Sequence, residues 1–143
     1  PKPVRNVQRR RRPTDEWPAV ILDASFLIDL LADDDAAVAK LDEIADRQLT
    51  VPTLVYTEVG VGFDPETATA ARFEEIMQQV TLVPYDGEAA RRAVGIQRQL
   101  RQQGDRIGAV DVMIAGVALA RDVPVVTRNV SEFARTPVQV SPY

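Results

Sequence analysis

Short apolar runs alternate with amphipathic stretches along this chain, and the first run, Ala19 to Asp23, ends on an acid. Four consecutive apolar residues before that acid are typical of a central parallel strand covered by helices on both faces. Further strands are predicted at 49–52, 81–84 and 123–127, with a weaker one at 138–140. Helices are predicted at 25–32, 35–47, 53–62, from Pro65 to about 79, at 86–103 and at 109–121. Strands that alternate with helices indicate an α/β sandwich with a mostly parallel sheet.

The first 18 residues differ from the rest, because they combine four prolines with the run Arg9 to Arg12 and offer little to bury. We therefore predict a basic N-terminal arm, residues 1–18, ahead of one folded domain, residues 19–143. The arm has two interpretations: a basic segment that contacts RNA phosphates or a partner, or a disordered leader.

Charge is also divided unevenly between the two ends of the chain. Residues 1–22 carry six basic and two acidic side chains, so the remainder has a net charge of −8 within a total of −4. An acidic body repels nucleic acid, and an RNA substrate would therefore need local basic contacts or bridging cations.

Cysteine and histidine are both absent from the sequence. Their absence excludes disulfides, thiolate chemistry, a Ser-His-Asp triad and the usual zinc sites. A metal bound by these side chains would have oxygen ligands, which suits Mg²⁺ or Mn²⁺. The longest apolar run, Val112 to Ala120, is nine residues and too short to span a bilayer, and no apolar signal core follows the arginines. We therefore expect a cytoplasmic protein with no membrane partner.

Three acids occupy positions that ordinary packing does not readily explain. Asp23 follows the first strand, and ligands of open parallel sheets bind beyond the carboxyl ends of the strands. Glu58 and Asp111 have mainly apolar neighbours three and four residues away on their predicted helices, where an unpaired carboxylate is costly. The alternatives are a helix N-cap for Asp23, a solvent-reaching edge position for Glu58, and a first-turn aspartate for Asp111. One divalent cation bound by all three acids would explain them together.

Asn129 and Glu132 follow the strand that ends at Thr127, which is again the carboxyl end of a strand. We add both to the candidate site, with a turn residue and an exposed loop charge as their alternatives. The acids at 33–35 are expected in a solvated loop, and Asp29, Asp42, Glu43 and Asp46 on helix faces where charge is ordinary.

Four segments, VILDASFLIDLL, VYTEVG, GAVDVMIAGVALA and VVTRNVSEF, occur in this order between about Val20 and Phe133. Their order and spacing resemble the PIN-domain toxins of the virulence-associated protein C type. The resemblance implies a three-layer α/β/α sandwich with a parallel central sheet. It also implies an Mg²⁺- or Mn²⁺-dependent endoribonuclease, a cognate antitoxin and a homodimer.

By this resemblance the metal-binding acids correspond to Asp23, Glu58 and Asp111, with further catalytic positions at Asn129 and Glu132. Asn129 departs from the family, where this position is often Asp, so a second metal would bind weakly unless Glu132 compensates. Ser25 matches a small polar residue of the first motif that helps to hold the metal shell.

The implied chemistry is attack of a metal-activated water on an RNA phosphodiester, with Arg128 and Arg106 as candidate phosphate contacts. One alternative is a degenerate PIN domain that binds RNA or protein without catalysis, which Asn129 favours. Another is a small phosphatase of the haloacid dehalogenase type, which needs an Asp-x-Asp pair where this chain has Ser25. That phosphatase also needs a lysine after a later strand, but the only lysines in this chain are Lys2 and Lys40. The same missing lysine argues against a phosphoacceptor receiver domain.

Overall fold

Five parallel strands form the central layer of this protein. The structure is a computed structural model that describes residues 17–143. The strands are β1 (Ala19–Leu22), β2 (Gln48–Pro52), β3 (Thr81–Val83), β4 (Val125–Thr127) and β5 (Val140–Pro142). The sheet order is β3-β2-β1-β4-β5, and every neighbouring pair is parallel. The predicted mostly parallel sheet is therefore confirmed.

Strand β1 lies at the centre of the sheet, where the direction of chain progression changes. Its residue Ile21 is paired with Thr50 of β2 on one side and with Val125 of β4 on the other. The connections after β1 build the sheet outward through β2 and β3, whereas β4 and β5 add to the opposite edge. A crevice at the carboxyl ends of β1 and β4 is the usual ligand position in such a sheet.

Seven helices in residues 17–143 cover the two faces of the sheet. They are α1 (Ala24–Leu31), α2 (Asp35–Ile44), α3 (Thr53–Gly60), α4 (Ala68–Met77), α5 (Gly87–Gln102), α6 (Ala109–Arg121) and α7 (Val130–Phe133). Val20, Ile21 and Leu22 are consecutive in β1 and are all fully buried, which requires a layer on each face. The fold is thus a three-layer α/β/α sandwich. No helix in residues 17–143 has the length and apolar character needed to cross a membrane.

Local sequence explains where several helices begin. Asp34, Thr67 and Asp86 are N-caps whose side chains accept hydrogen bonds from the backbone N–H groups of Ala37, Ala70 and Ala89. Helices α5 and α6 pack closely, and a Cβ placed on Gly116 would lie 2.4 Å from the carbonyl oxygen of Ala89. Glycine at this position therefore sets how closely the two helices approach.

The structure differs from the predicted elements at two places near the C-terminus. The last strand begins at Val140 rather than at 138, because Val138 donates its N–H to Thr136 Oγ1 in the turn after α7. The short helix α7 was not predicted. At the start of the described residues, Trp17 is buried and the Pro18 carbonyl accepts a hydrogen bond from Gln48 N. The rest of the predicted basic arm lies outside the described residues.

Candidate active site

A cleft of about 440 Å³ opens at the carboxyl ends of β1 and β4. Asp23 follows β1, Glu58 lies on α3, Asp111 lies in the first turn of α6, and Asn129 follows β4. All four side chains line this cleft. The fold therefore brings four of the five predicted site residues to one place, although 106 positions separate the first from the last.

Asp23 is held at the base of the cleft by donors on two elements, and its side chain is 1% exposed. Oδ1 accepts hydrogen bonds from Phe26 N at 3.0 Å and from Ser25 Oγ at 2.7 Å, so the residue is also the N-cap of α1. Oδ2 accepts a short hydrogen bond from Thr127 Oγ1. Burial raises the pKa of Asp23, while these hydrogen bonds act in the opposite direction. The sequence offered two alternatives for Asp23, a helix N-cap or an acid of the binding site. In the structure it caps α1 and also lines the cleft.

Thr127 is the site residue that the sequence analysis missed. It is fully buried, donates to Asp23, and its Oγ1 accepts a hydrogen bond from Asn129 N at 2.9 Å. Ser25 extends this network, because its Oγ accepts a hydrogen bond from Arg128 N at 3.2 Å. Leu22 and Val126 are partners in the sheet register, so the next residues on the two strands are neighbours. The signal available in the sequence was that Thr127 ends one predicted strand and Asp23 directly follows another.

Asp111 has the most strongly perturbed carboxyl group of the site. Burial, a hydrogen bond shared with Glu132, and the charges of Glu132, Asp23 and Glu58 raise its pKa to about 7. Glu132 lies on α7 and does not line the cleft, so it reaches the site through Asp111. The hydrogen bond to Glu132 and the surrounding negative charges both favour the protonated form of Asp111.

Glu58 lies at the cleft, but the reason given for it from the sequence was wrong. The buried residues of α3 are Val55 and Val59, whereas Val61 is 79% exposed and Glu58 itself is exposed. The apolar neighbours thus do not form a core-facing stripe around this carboxylate. Partial burial and the charge of Asp23 raise the pKa of Glu58, which indicates that the two acids interact across the cleft.

The donors at this cleft suit a hard divalent cation, since Asp23, Glu58 and Asp111 supply only oxygen atoms. In residues 17–143, no three acidic side chains stand within common ligating distance of one ion. Glu58 is the exposed member of the three, and its side chain has three rotatable bonds. The mutual repulsion that raises the pKa of Asp111 is the kind that a divalent cation relieves.

Asp29, beside the cleft, is more buried than the sequence predicted. Asp29 was assigned to an ordinary charged helix face, yet it is 8% exposed. Arg128 Nη1 donates to its two carboxylate oxygens at 2.9 and 3.0 Å, and the Tyr143 hydroxyl donates to Oδ2 at 2.7 Å. Arg128 lines the cleft, whereas the other candidate phosphate contact, Arg106, does not. Asp42 and Glu43 on α2 are exposed as expected, and Asp46 is exposed in the turn after that helix.

Known proteins resemble this chain along most of its length. A family model described as PIN domain matches residues 20–138. The tRNA(fMet)-specific endonuclease VapC of Shigella flexneri is 28% identical over 119 residues, which cover 80% of this chain and 89% of that protein. The structure of VapBC2 from Rickettsia felis bound to a promoter DNA fragment has a TM-score of 0.76 at 18% identity, covering 87% of this chain and 98% of that one. VapBC-5 of Mycobacterium tuberculosis, a member of the VapBC family of toxin-antitoxin systems, has a TM-score of 0.63 at 27% identity, covering 88% and 98%.

Proposed function

This chain belongs to the PIN domain family, and from that premise we propose that it is an Mg²⁺- or Mn²⁺-dependent endoribonuclease, the toxin of a toxin–antitoxin pair. The observation that carries this proposal is that Asp23, Glu58 and Asp111 line one cleft, where burial, Glu132 and the other two acids raise the pKa of Asp111 to about 7. Acids are gathered at such cost chiefly where they bind a cation or transfer a proton. The name of the Shigella relative, a tRNA endonuclease, gives the class of substrate.

Asp23, Glu58 and Asp111 would hold the cation. When bound, it would supply Lewis-acid stabilisation of the phosphate and a water acidic enough to attack in line. Asp23 orients its oxygens rigidly, because Thr127, Ser25 and the α1 backbone fix the carboxylate. Glu132 positions Asp111 through the hydrogen bond that they share, and it contributes to raising the pKa of Asp111 to about 7.

Asn129 contributes an uncharged amide to the cleft where a carboxylate would add a fourth negative charge. Its backbone N–H donates to Thr127 Oγ1, which holds the start of α7 against the end of β4. Glu132 is engaged with Asp111, so we expect a single high-affinity cation rather than two.

The test is RNA cleavage by purified protein on a panel of structured RNAs that includes tRNAs, with Mg²⁺, with Mn²⁺ and with EDTA. We expect cleavage with either metal, none with EDTA, and none by Asp111→Asn in any condition. Cleavage that persists in EDTA would refute the metal-dependent mechanism. Normal cleavage by Asp111→Asn would show that the site lies elsewhere.

The partner we propose is a cognate antitoxin encoded beside this chain, together with a second copy of the chain in a homodimer. The VapBC-5 relative belongs to a toxin–antitoxin system, and an acidic cleft is complementary to a basic side chain of a covering segment. Co-expression with the adjacent gene should yield a complex that no longer cleaves RNA. A neighbouring product that neither binds nor inhibits would refute the antitoxin assignment.

A second candidate function is a PIN domain that binds RNA or protein without cleaving it. It is favoured by Asn129 in place of an acid and by the absence, within residues 17–143, of three acids ready to bind one ion. Isothermal titration of metal-free protein with Mn²⁺ distinguishes the two. Stoichiometric binding that Asp23→Asn abolishes supports the nuclease, and no binding supports the non-catalytic domain.

A further inference from the structure

Arg128 stands at the rim of an otherwise acidic cleft. Of the described residues that line the cleft it is the one with a positive charge, opposed by Asp23, Glu58 and Asp111. Its side chain is 60% exposed, while its backbone N–H is fixed to Ser25 Oγ. An anionic ligand that enters the cleft therefore meets one guanidinium among three carboxylates.

The guanidinium is held by a pair of residues from distant parts of the chain. Asp29 on α1 accepts both hydrogen bonds of Nη1, and Tyr143 donates its hydroxyl to the same carboxylate. The Tyr143 ring packs edge-on against Phe26, with 5.1 Å between centroids, and Phe26 is fully buried. Burial and the bond to Asp29 raise the pKa of Tyr143, so its hydroxyl stays a protonated donor.

The geometry leaves Arg128 with unused donors. A guanidinium has donors on three nitrogen atoms, and within residues 17–143 the side-chain hydrogen bonds of Arg128 use Nη1 alone. Nε and Nη2 form the planar fork that matches two phosphate oxygens. The buried Asp29 carboxylate gains a charge partner from Arg128, and this pairing leaves most of the guanidinium exposed at the cleft.

We propose that Arg128 binds a phosphate of the RNA substrate at the rim of the cleft, and that Asp29 and Tyr143 are the positioning residues that fix its guanidinium there. This inference rests on the proposed function for the identity of the ligand, an RNA phosphodiester. It adds a phosphate subsite beside the carboxylates and ties the segment after β5 to substrate binding.

The first experiment measures binding of a fluorescein-labelled single-stranded RNA of mixed sequence in EDTA, over a series of monovalent salt concentrations. Each phosphate contact to a single strand contributes about 0.7 to the slope of log affinity against log salt. Arg128→Ala should lower the slope by about 0.7 and weaken binding about tenfold, and Arg128→Lys should restore the slope. The matched control is Arg91→Ala, which removes an exposed arginine paired with Glu88 on α5 and should keep the wild-type slope. An unchanged slope for Arg128→Ala overturns the phosphate contact.

The second experiment tests the positioning pair with Tyr143→Phe, which keeps the ring on Phe26 and removes only the hydroxyl. We expect binding and RNA cleavage to weaken about three- to tenfold, the effect of one typical intramolecular hydrogen bond. In the Arg128→Ala background the same change should have no further effect on binding, because Tyr143 acts through Arg128. Equal losses in both backgrounds overturn the positioning role.

The two proposals fail separately. If no RNA is cleaved but Arg128→Ala lowers the salt slope, the nuclease assignment fails and the phosphate subsite stands. If wild type cleaves RNA and Arg128→Ala has the wild-type slope and KM, the subsite fails and the nuclease assignment stands. Melting curves of every variant identify a loss that comes from unfolding, and Arg128→Lys, which preserves the charge, keeps the test decisive in that case.

Discussion

Replacing Asp111 with Asn should change how the stability of the metal-free protein depends on pH. The pKa of Asp111 is raised from 3.8 to about 7 in the folded protein by burial and by Glu132, Asp23 and Glu58. Between these two values the folded state keeps a proton that the unfolded state has lost. Stability therefore falls as pH rises from about 4 to about 7, because a raised carboxyl pKa favours the folded state only while the group is protonated. Asp111→Asn removes this dependence, since the amide does not ionise.

The shift in pKa sets an upper limit of about 4 kcal/mol on the destabilisation at high pH. Solvent reaches this half-buried group and screens its interactions, so we expect roughly half that limit, about 2 kcal/mol. For a chain near 150 residues this corresponds to a melting difference of about 4–8 °C. In EDTA the variant should melt higher than wild type by this amount at pH 8, and close to wild type below pH 4.

Differential scanning fluorimetry in EDTA across this pH range measures the difference directly. Asp42→Asn is the matched control, because Asp42 is exposed on α2 and its loss removes one negative charge away from the cleft. At pH 8, Mn²⁺ at 100 times its dissociation constant should add about 2.7 kcal/mol to wild type and much less to Asp111→Asn. Parallel pH profiles for wild type and Asp111→Asn would show that the acids do not interact as described.

Three further substitutions separate chemistry from folding. Asp23→Asn should reduce RNA cleavage by at least about a hundredfold while the protein stays folded, because Asn also caps helices; a circular dichroism spectrum and a cleavage assay check both. Thr127→Val should lower the free energy of unfolding by about 1–3 kcal/mol and impair cleavage, because buried Asp23 loses its Oδ2 donor. Thr127→Ser keeps the hydroxyl and should recover most of the stability and activity, as measured by urea unfolding and cleavage assays. Glu58→Gln should abolish cleavage with a stability change within about 0.5 kcal/mol, since this side chain is exposed; a large loss of stability would contradict its place at the cleft.

Much of this fold could be predicted from the sequence because its signals are local. The apolar run before Asp23 was sufficient to identify the central strand, since only a strand covered on both faces is apolar at consecutive positions. The same reasoning placed β2, β3 and β4 within two residues of their observed bounds. It misplaced β5, because Val138 is buried and apolar like a strand residue although the turn after α7 uses its N–H group.

The chemical class of the site was also a property of the sequence. A chain without Cys and His can bind a metal only through oxygen, and the acids at 23, 58 and 111 stood out by their position relative to strands and helices. Nothing local distinguished Asp29 from an exposed helical acid, however. Its partners Arg128 and Tyr143 lie 99 and 114 positions away.

Only the tertiary structure decided which groups touch. The register of β1 against β4 sets Thr127 beside Asp23, and α7 brings Glu132 to Asp111. The perturbed pKa of Asp111 arises from burial and from charges on other elements, neither of which exists in the unfolded chain. Helical spacing had suggested a core position for Glu58, but the sheet and the neighbouring helices left that face of α3 open to the cleft. Local sequence determines the elements and the available chemistry, whereas packing between distant segments determines the distances, burial and charge interactions that constitute a site.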